Sequence, residues 1–124
     1  MTGNLPDLRL QPPTQLLALL DIVGPAETPA LLAHLHADLT DCDNQLKAAT
    51  PTCDWQAIRG ASHDLVALAG TAGAKRLQRM AEDLNRIAHA EDRRGLSKLA
   101  PGVGDELAAL CQLIHGLTAN RGYR

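Results

Sequence analysis

Residues 59–77 read RGASHDLVALAGTAGAKRL and are the most informative stretch of this sequence. Leucine and alanine, the best apolar helix formers, make up much of it. Glycines nevertheless occupy positions 60 and 70, on either side of His63. Glycine inside a helix costs roughly 0.5–1 kcal/mol relative to alanine. The stretch therefore predicts a helix that gives up stability around one imidazole.

At about 100° per residue, this helix has two distinct faces. His63 lies on one of them, with Gln56, Arg59, Gly60, Ala67 and Gly70 within about 60° of it. We therefore expect the imidazole to point into solvent, between small residues and Arg59. Alternatively, the glycines only admit a neighbouring helix or end this one, and His63 is an ordinary surface residue. The opposite face, expected in the core, consists of Ile58, Ala61, Leu65, Leu68, Ala69 and Ala72.

The composition of the 124-residue chain indicates one all-α domain. Its apolar residues are mostly leucine and alanine, with one tryptophan, one tyrosine and no phenylalanine. The aromatic and β-branched residues that favour strands are therefore scarce. A chain of this length fits a single domain with a modest core.

Apolar spacing of three and four residues predicts five helices. A short first helix in TQLLALLDIVG ends at Gly24, and the second begins with Thr28 as its cap and Pro29 in its first turn. Thr52 or Asp54 caps the third helix, which runs to Gly73. The segment AEDRRG, residues 90–95, ends the fourth, and the last begins between Ser97 and Pro101. The predicted apolar stripes are Leu31, Leu35, Leu39, Cys42 and Leu46; Leu77, Met80, Leu84 and Ile87; and Val103, Leu107, Leu110, Ile114 and Leu117.

Short connections between amphipathic helices favour an antiparallel up-down-up-down four-helix bundle over residues 14–120. The short first helix is then an extra N-terminal element that covers one end. Residues 1–13 contain three prolines and are predicted to form an extended lead-in.

Charge, hydropathy and cysteine spacing exclude several classes of protein. The net charge is −2 at pH 7, and no basic block suggests nucleic-acid binding. No apolar run approaches the roughly 20 residues of a membrane span. The N-terminus lacks the features of a signal peptide, so we expect a cytoplasmic protein. Cys42, Cys53 and Cys111 have no paired CxxC spacing, which favours reduced thiols over a metal site.

An exposed imidazole on a convex helical bundle has limited chemistry of its own. General-base catalysis would need a concave pocket and a group that orients the ring. A histidine side chain in water is largely neutral at pH 7, however, and its unprotonated nitrogen is a nucleophile. His63 is thus suited to accept a phosphoryl group from a partner that supplies the rest of the site. No constellation typical of a metabolic enzyme is present, and no Gly-rich phosphate loop follows a strand.

The segment ASHDLVALAGTAGAKRL resembles the signature of histidine-containing phosphotransfer (HPt) domains, the small helical bundles of multistep phosphorelays. The Asp54-Trp55 pair, nine residues before the histidine, the chain length and the helix order are also similar to the family. The resemblance covers nearly the whole chain after residue 14. The positions that match the signature are His63, Leu65, Ala69, Gly73, Ala74 and Leu77.

The resemblance implies a phosphocarrier rather than an enzyme. His63 would take a phosphoryl group from the aspartyl phosphate of a receiver domain and pass it to the aspartate of another. These receivers belong to response regulators or hybrid histidine kinases, and they contribute Mg²⁺ and a lysine. The protein itself would then need no cofactor or metal, would act as a monomer, and would bind neither nucleic acid nor membrane. Both a stand-alone protein and an excised domain of a hybrid kinase fit this interpretation.

Two positions depart from the family pattern. The family usually has lysine three residues and glycine four residues after the histidine, where this chain has Val66 and Ala67. Arg59, one turn before His63, is our candidate for the missing positive charge. The expected partner-binding residues are Gly60, Val66, Ala67 and Gly70 on the third helix and Asn85 and Arg86 on the fourth, with His89 as a further candidate.

Two other functions remain open from the sequence. SHDLVAL partly resembles the dimerisation helix of histidine kinases, so the first alternative is an adaptor built on that dimeric fold. The proline expected after that motif is absent, however, and the chain is too short to include an ATP-binding domain. The protein could also be an HPt-like module that docks on receivers without carrying phosphate. Val66, in place of lysine, favours that second alternative.

Overall fold

The computed structural model describes residues 14–120, and every regular element in this range is a helix. The all-α prediction is therefore confirmed. The predicted lead-in, residues 1–13, lies outside the described residues. None of the described helices combines the length and apolar character needed to cross a membrane. The helices are α1 (Thr14–Val23), α2 (Thr28–Ala49), α3 (Trp55–Ala72), α4 (Lys75–Ala90) and α5 (Arg93–Asn120).

The helices pack as a bundle around one leucine- and alanine-rich core. The contact between α3 and α4 is the most extensive. Further contacts join α2 to α3, α2 to α5 and α4 to α5, while α1 packs against α3. Each helix therefore buries its apolar face on its neighbours, as amphipathic helices do.

Of the two predicted caps of α3, Thr52 and Asp54, the structure selects Asp54, and the helix ends at Gly73 as predicted. The Asp54 carboxylate accepts a hydrogen bond from the Ala57 backbone N–H at 3.2 Å, which satisfies one of the free donors of the first turn. At the other end, Gly73 adopts φ 72°, the left-handed conformation that glycine tolerates best. Only Gly73 and Ala74 separate α3 from α4, so the two helices are held side by side.

The start of α2 corrects the predicted cap. Thr28 is buried and already helical, and its hydroxyl donates to the Gly24 carbonyl at 2.8 Å. The capping position falls on Glu27, whose side chain makes no capping hydrogen bond. Gly24, at φ 82°, turns the chain so that its carbonyl faces Thr28. This register buries Leu32 completely and leaves Leu31 half-buried.

The start of α5 is a second correction, because the helix begins at Arg93 rather than between Ser97 and Pro101. The Asp92 carboxylate accepts from the Gly95 N–H at 3.0 Å and so caps the first turn. Pro101 lies inside the helix, although proline offers no N–H to the carbonyl four residues before it. The predicted stripe of α5 is buried throughout, and burial of this face explains why the helix continues through the proline.

Candidate functional site

His63 lies in the middle of α3 and is exposed to solvent, as the helical geometry predicted. Its opposite face is in the core, where only Leu68 of the expected set is less than fully buried. The buried members of that face are Ile58, Ala61, Leu65, Ala69 and Ala72. The core therefore fixes the rotation of α3 and turns the imidazole outward.

The two glycines of this face have different environments. A Cβ added at Gly60 would meet no heavy atom within 4 Å. A Cβ added at Gly70 would lie 3.1 Å from Nε2 of Gln78 on α4, and the Gly70 carbonyl accepts from Nε2 of Gln15 at 2.8 Å. Gly70 thus leaves room for the Gln78 side chain of α4, whereas packing gives no reason for glycine at position 60. Only Gly60 fits the interpretation of a surface cleared beside His63.

Asn85 joins α4 to α3 next to this site. Its Nδ2 donates to the Arg59 carbonyl at 3.2 Å and to Oγ of Ser62 at 3.0 Å. The Ser62 hydroxyl, which is fully buried, donates to the same Arg59 carbonyl at 3.1 Å. The expected amide of α4 therefore reaches the turn that leads into His63, and it binds the main chain there.

The structure does not bring Arg86 to the imidazole. The Arg86 guanidinium pairs with Asp83 on its own helix. Both line a shallow cavity together with Gly95 and Lys98 of α5, whereas Asn85 is turned toward α3. His89 is exposed at the end of α4. Of the three α4 candidates, Asn85 alone is tied to the turn that carries His63.

Positive charge on α3 comes from Arg59, its single lysine or arginine. Arg59 is half-buried, and its guanidinium has no ion-pair partner within residues 14–120. Val66 is half-buried and packs against the core cluster. The side chain at position 66 therefore supports the hydrophobic packing, and Arg59 remains available to an anion placed near His63.

On the α2 side, the site is bordered by an acidic groove that the sequence did not predict. Asp38 and Asp41 of α2 and Asp64 of α3 line a cavity of about 400 Å³ that also contains Ala67. Burial, followed by these three carboxylates, raises the pKa of Cys42 in this groove to about 11. Cys42 is thus a protonated thiol at neutral pH and no nucleophile. The aspartates were visible in the sequence, but only the pairing of α2 with α3 brings them together.

Comparisons with protein-family models, with curated proteins and with solved structures find no match. Within residues 14–120, no group of three His, Cys, Asp or Glu side chains is arranged to hold a metal ion. No titratable side chain is hydrogen-bonded to the His63 imidazole in that range. The His63 imidazole is exposed and can be reached from solvent.

Proposed function

We propose that this protein is a histidine phosphotransfer protein of a multistep two-component phosphorelay. His63 accepts a phosphoryl group from a receiver-domain aspartate and passes it to a second receiver. The observation that carries the proposal is the exposed imidazole in the middle of α3, with open space over Gly60 and the small side chain of Ala67 on its other side. A receiver domain can therefore bring its aspartyl phosphate up to the ring.

The proposed fold is an antiparallel up-down-up-down bundle of α2, α3, α4 and α5, with α1 as the extra N-terminal helix. Its support is the order of contacts, in which each of the four helices touches the next and α5 returns to α2. The connections between them are also short, two residues in the case of Glu91 and Asp92. We expect a cytoplasmic monomer that docks through α3.

The transfer is a displacement at phosphorus. The unprotonated nitrogen of the neutral His63 ring attacks, and an N–P bond forms as the P–O bond to the aspartyl oxygen breaks. The electron pair of that bond returns to the aspartate as a carboxylate, while the other ring nitrogen keeps its proton. Transfer to the second receiver is the reverse reaction. Mg²⁺ and lysine of the receiver stabilise the charge on the transferring group.

Arg59 is the residue of this chain that we assign to the phosphoryl group. It lies one turn before His63 and about 40° from it around the helix. Its guanidinium is unpaired within the described residues, and arginine binds phosphate oxygens in a bidentate manner. Arg59 would thus supply the positive charge that Val66 does not.

The proposal is tested by incubating the protein with a phosphorylated receiver domain, with His63→Gln beside the wild type. We expect label on the wild type that is labile in acid and stable in base, and no label on the variant. Transfer that persists in His63→Gln would exclude His63 as the acceptor.

For Arg59, the comparison is Arg59→Ala with Arg94→Ala, which removes the same charge from an exposed position on α5. Equal effects of the two substitutions would remove Arg59 from the site.

Val66 is the observation that favours a second candidate, an HPt-like module that docks on receivers without carrying phosphate. That module would bind a receiver with the same affinity whether His63 or glutamine occupies the position. Binding without label from several phosphorylated receivers would establish it. The first substitution to make would then be Val66→Lys.

A further inference from the structure

We propose that Ser62 and Asn85 are positioning residues for His63. Together they hold the Arg59 carbonyl, and with it the helical turn that carries the imidazole, at a fixed place against α4. The inference rests on the proposed function for its catalytic consequence, but the clamp itself can be measured without it. These two side chains, with their hydrogen bonds to each other and to the Arg59 carbonyl, form the Ser62–Asn85 clamp.

The position of the clamp on the helix connects it to His63. In an α-helix, the carbonyl of residue 59 accepts the backbone N–H of residue 63. The same oxygen also accepts from Asn85 Nδ2 at 3.2 Å and from the Ser62 hydroxyl at 3.1 Å. Three donors therefore converge on the main-chain oxygen that anchors His63, and one of them belongs to another helix.

The composition of the core indicates that packing alone does not require the clamp. Ser62 and Thr28 are the only buried polar side chains within residues 14–120. A polar group in such a core is tolerated when its hydrogen bonds are made, and a small apolar residue avoids that requirement altogether. Alanine occupies the comparable buried positions 61, 69 and 72 of the same helix. Serine at 62 thus adds a directional contact that alanine would not provide.

The need for such a contact follows from Gly60. Glycine is the residue that loses most conformational freedom in a helix, and position 60 has no side-chain contact that could compensate. The turn that must stay open to a partner therefore has a lower intrinsic helix propensity than the same turn with alanine at position 60 would have. The Ser62–Asn85 clamp bonds both sides of Gly60 to α4, since Arg59 precedes it and Ser62 follows it. The same turn is therefore open to a partner over Gly60 and held in place by hydrogen bonds to α4.

During phosphoryl transfer, the clamp would keep the His63 imidazole aligned with the phosphorus atom that a docked receiver presents. Neither Ser62 nor Asn85 is assigned a contact with the phosphoryl group, because the hydrogen bonds of both are directed to α3. Reactions of this kind are sensitive to geometry, and a displacement of about 1 Å can cost roughly a hundredfold in rate. The expected effect is on the maximal rate of transfer rather than on the affinity for the receiver.

The test uses the full chain with Ser62→Ala, Asn85→Ala and the double substitution. Each single variant leaves one side-chain donor on the Arg59 carbonyl, so both are expected to fold. The first measurement is amide hydrogen exchange, which requires no partner. We expect exchange of the amides of residues 60–64 to accelerate by roughly tenfold, the factor that loss of an ordinary hydrogen bond produces at most, while amides of α2 and α5 change little.

The second measurement is transfer from a phosphorylated receiver, with phosphoramidate as a small phosphodonor in parallel. We expect the maximal rate to fall by roughly tenfold in Asn85→Ala, within the range known for misplaced groups, with KM nearly unchanged. Labelling by phosphoramidate should keep its rate, since a small donor reaches the ring in any orientation. The two single substitutions should also be less than additive in the double variant, as expected for one network.

Gln15→Ala is the matched control, because it too removes an amide that donates from another helix to a carbonyl of α3. It should speed exchange near Gly70 and leave the maximal rate unchanged. The proposal is wrong if exchange accelerates uniformly or not at all, if only KM rises, or if phosphoramidate labelling slows equally. If no receiver labels the wild type, the proposed function fails, and the exchange measurement alone decides whether the clamp exists.

Discussion

At the scale of the residue, Gly60 and Gly70 allow a direct comparison. Gly60→Ala should raise the free energy of unfolding by about 0.5–1 kcal/mol, because the new Cβ meets nothing and alanine is the better helix former. Gly70→Ala should raise the free energy of unfolding by less, since Gln78 Nε2 lies 3.1 Å from the new Cβ and must move. Urea denaturation of both variants checks the order. A larger gain at position 70 would contradict the packing described for Gly70.

A second residue-scale prediction concerns pH. The pKa of Cys42 is raised from 9.0 to about 11, by burial first and then by Asp64, Asp38 and Asp41. A group whose folded-state pKa is raised stabilises the fold fully below its unfolded pKa and loses that contribution as pH rises through its folded pKa. The free energy of unfolding should therefore decrease by roughly 2–3 kcal/mol between pH 9 and pH 11.

The measurement is urea denaturation at pH 8 and pH 11, with Cys42→Val as the control. The valine variant retains every other titrating group, including Cys111, whose pKa burial also raises. The wild type should lose more stability than the variant over this interval. An identical loss in both would show that Cys42 does not ionise with a shifted pKa.

At the scale of the element, α5 contains a proline in its ninth position, and α2 contains one in its first turn. Pro101→Ala restores an N–H that can donate to the Ser97 carbonyl, so it should stabilise the protein by up to about 3 kcal/mol. Pro29→Ala should change stability little, because an N–H in the first turn has no helical acceptor. Thermal denaturation of the two variants distinguishes them. A similar gain from both would mean that the missing hydrogen bond of Pro101 is compensated.

The centres of the helices could be predicted from apolar spacing, and their ends could not always be. Gly73 was identifiable and Asp54 was one of two candidates, because cap residues have strong local preferences. The sequence predicts the start of α5 too late, because the polar segment AEDRRG, which contains Gly95, is typical of a connection between helices. The hydrogen bond from Gly95 to Asp92 and the burial of Leu96 override that local preference. Local propensity is a weak indicator where a buried face continues.

At the scale of the whole molecule, all five helices contribute to one core, so unfolding should be cooperative. Leu65 is fully buried on the face of α3 opposite His63. Leu65→Ala should cost about 2–5 kcal/mol through lost contacts and the cavity that remains, whereas Leu65→Met should cost less than about 1.5 kcal/mol. Circular dichroism and Trp55 fluorescence should report the same midpoint for each variant. Separate midpoints would show that part of the bundle unfolds on its own.

The candidate site was predictable as far as one helix determines it. Exposure of His63 and the position of Arg59 follow from the angles around α3 alone. The acidic groove and the Ser62–Asn85 clamp depend instead on which residues of α2 and α4 stand opposite α3. The register between neighbouring helices is set by how whole helices pack, so it cannot be predicted from the residue spacing within one helix. The sequence therefore indicated a face and Asn85 as a candidate beside it, while the hydrogen bonds of Asn85 and the acidic groove emerged only from the assembled bundle.

Asn85 binds the main-chain oxygen of residue 59, not its side chain. The hydrogen bond between α3 and α4 therefore does not depend on which amino acid occupies position 59, because every residue has a peptide carbonyl. Arginine could be exchanged there for a neutral or acidic side chain while the spacing of the two helices stayed the same. Charge next to the imidazole and the geometry of the imidazole are consequently separable traits. Under the proposed function, single substitutions at position 59 would change the charge that a docking receiver meets without altering the core.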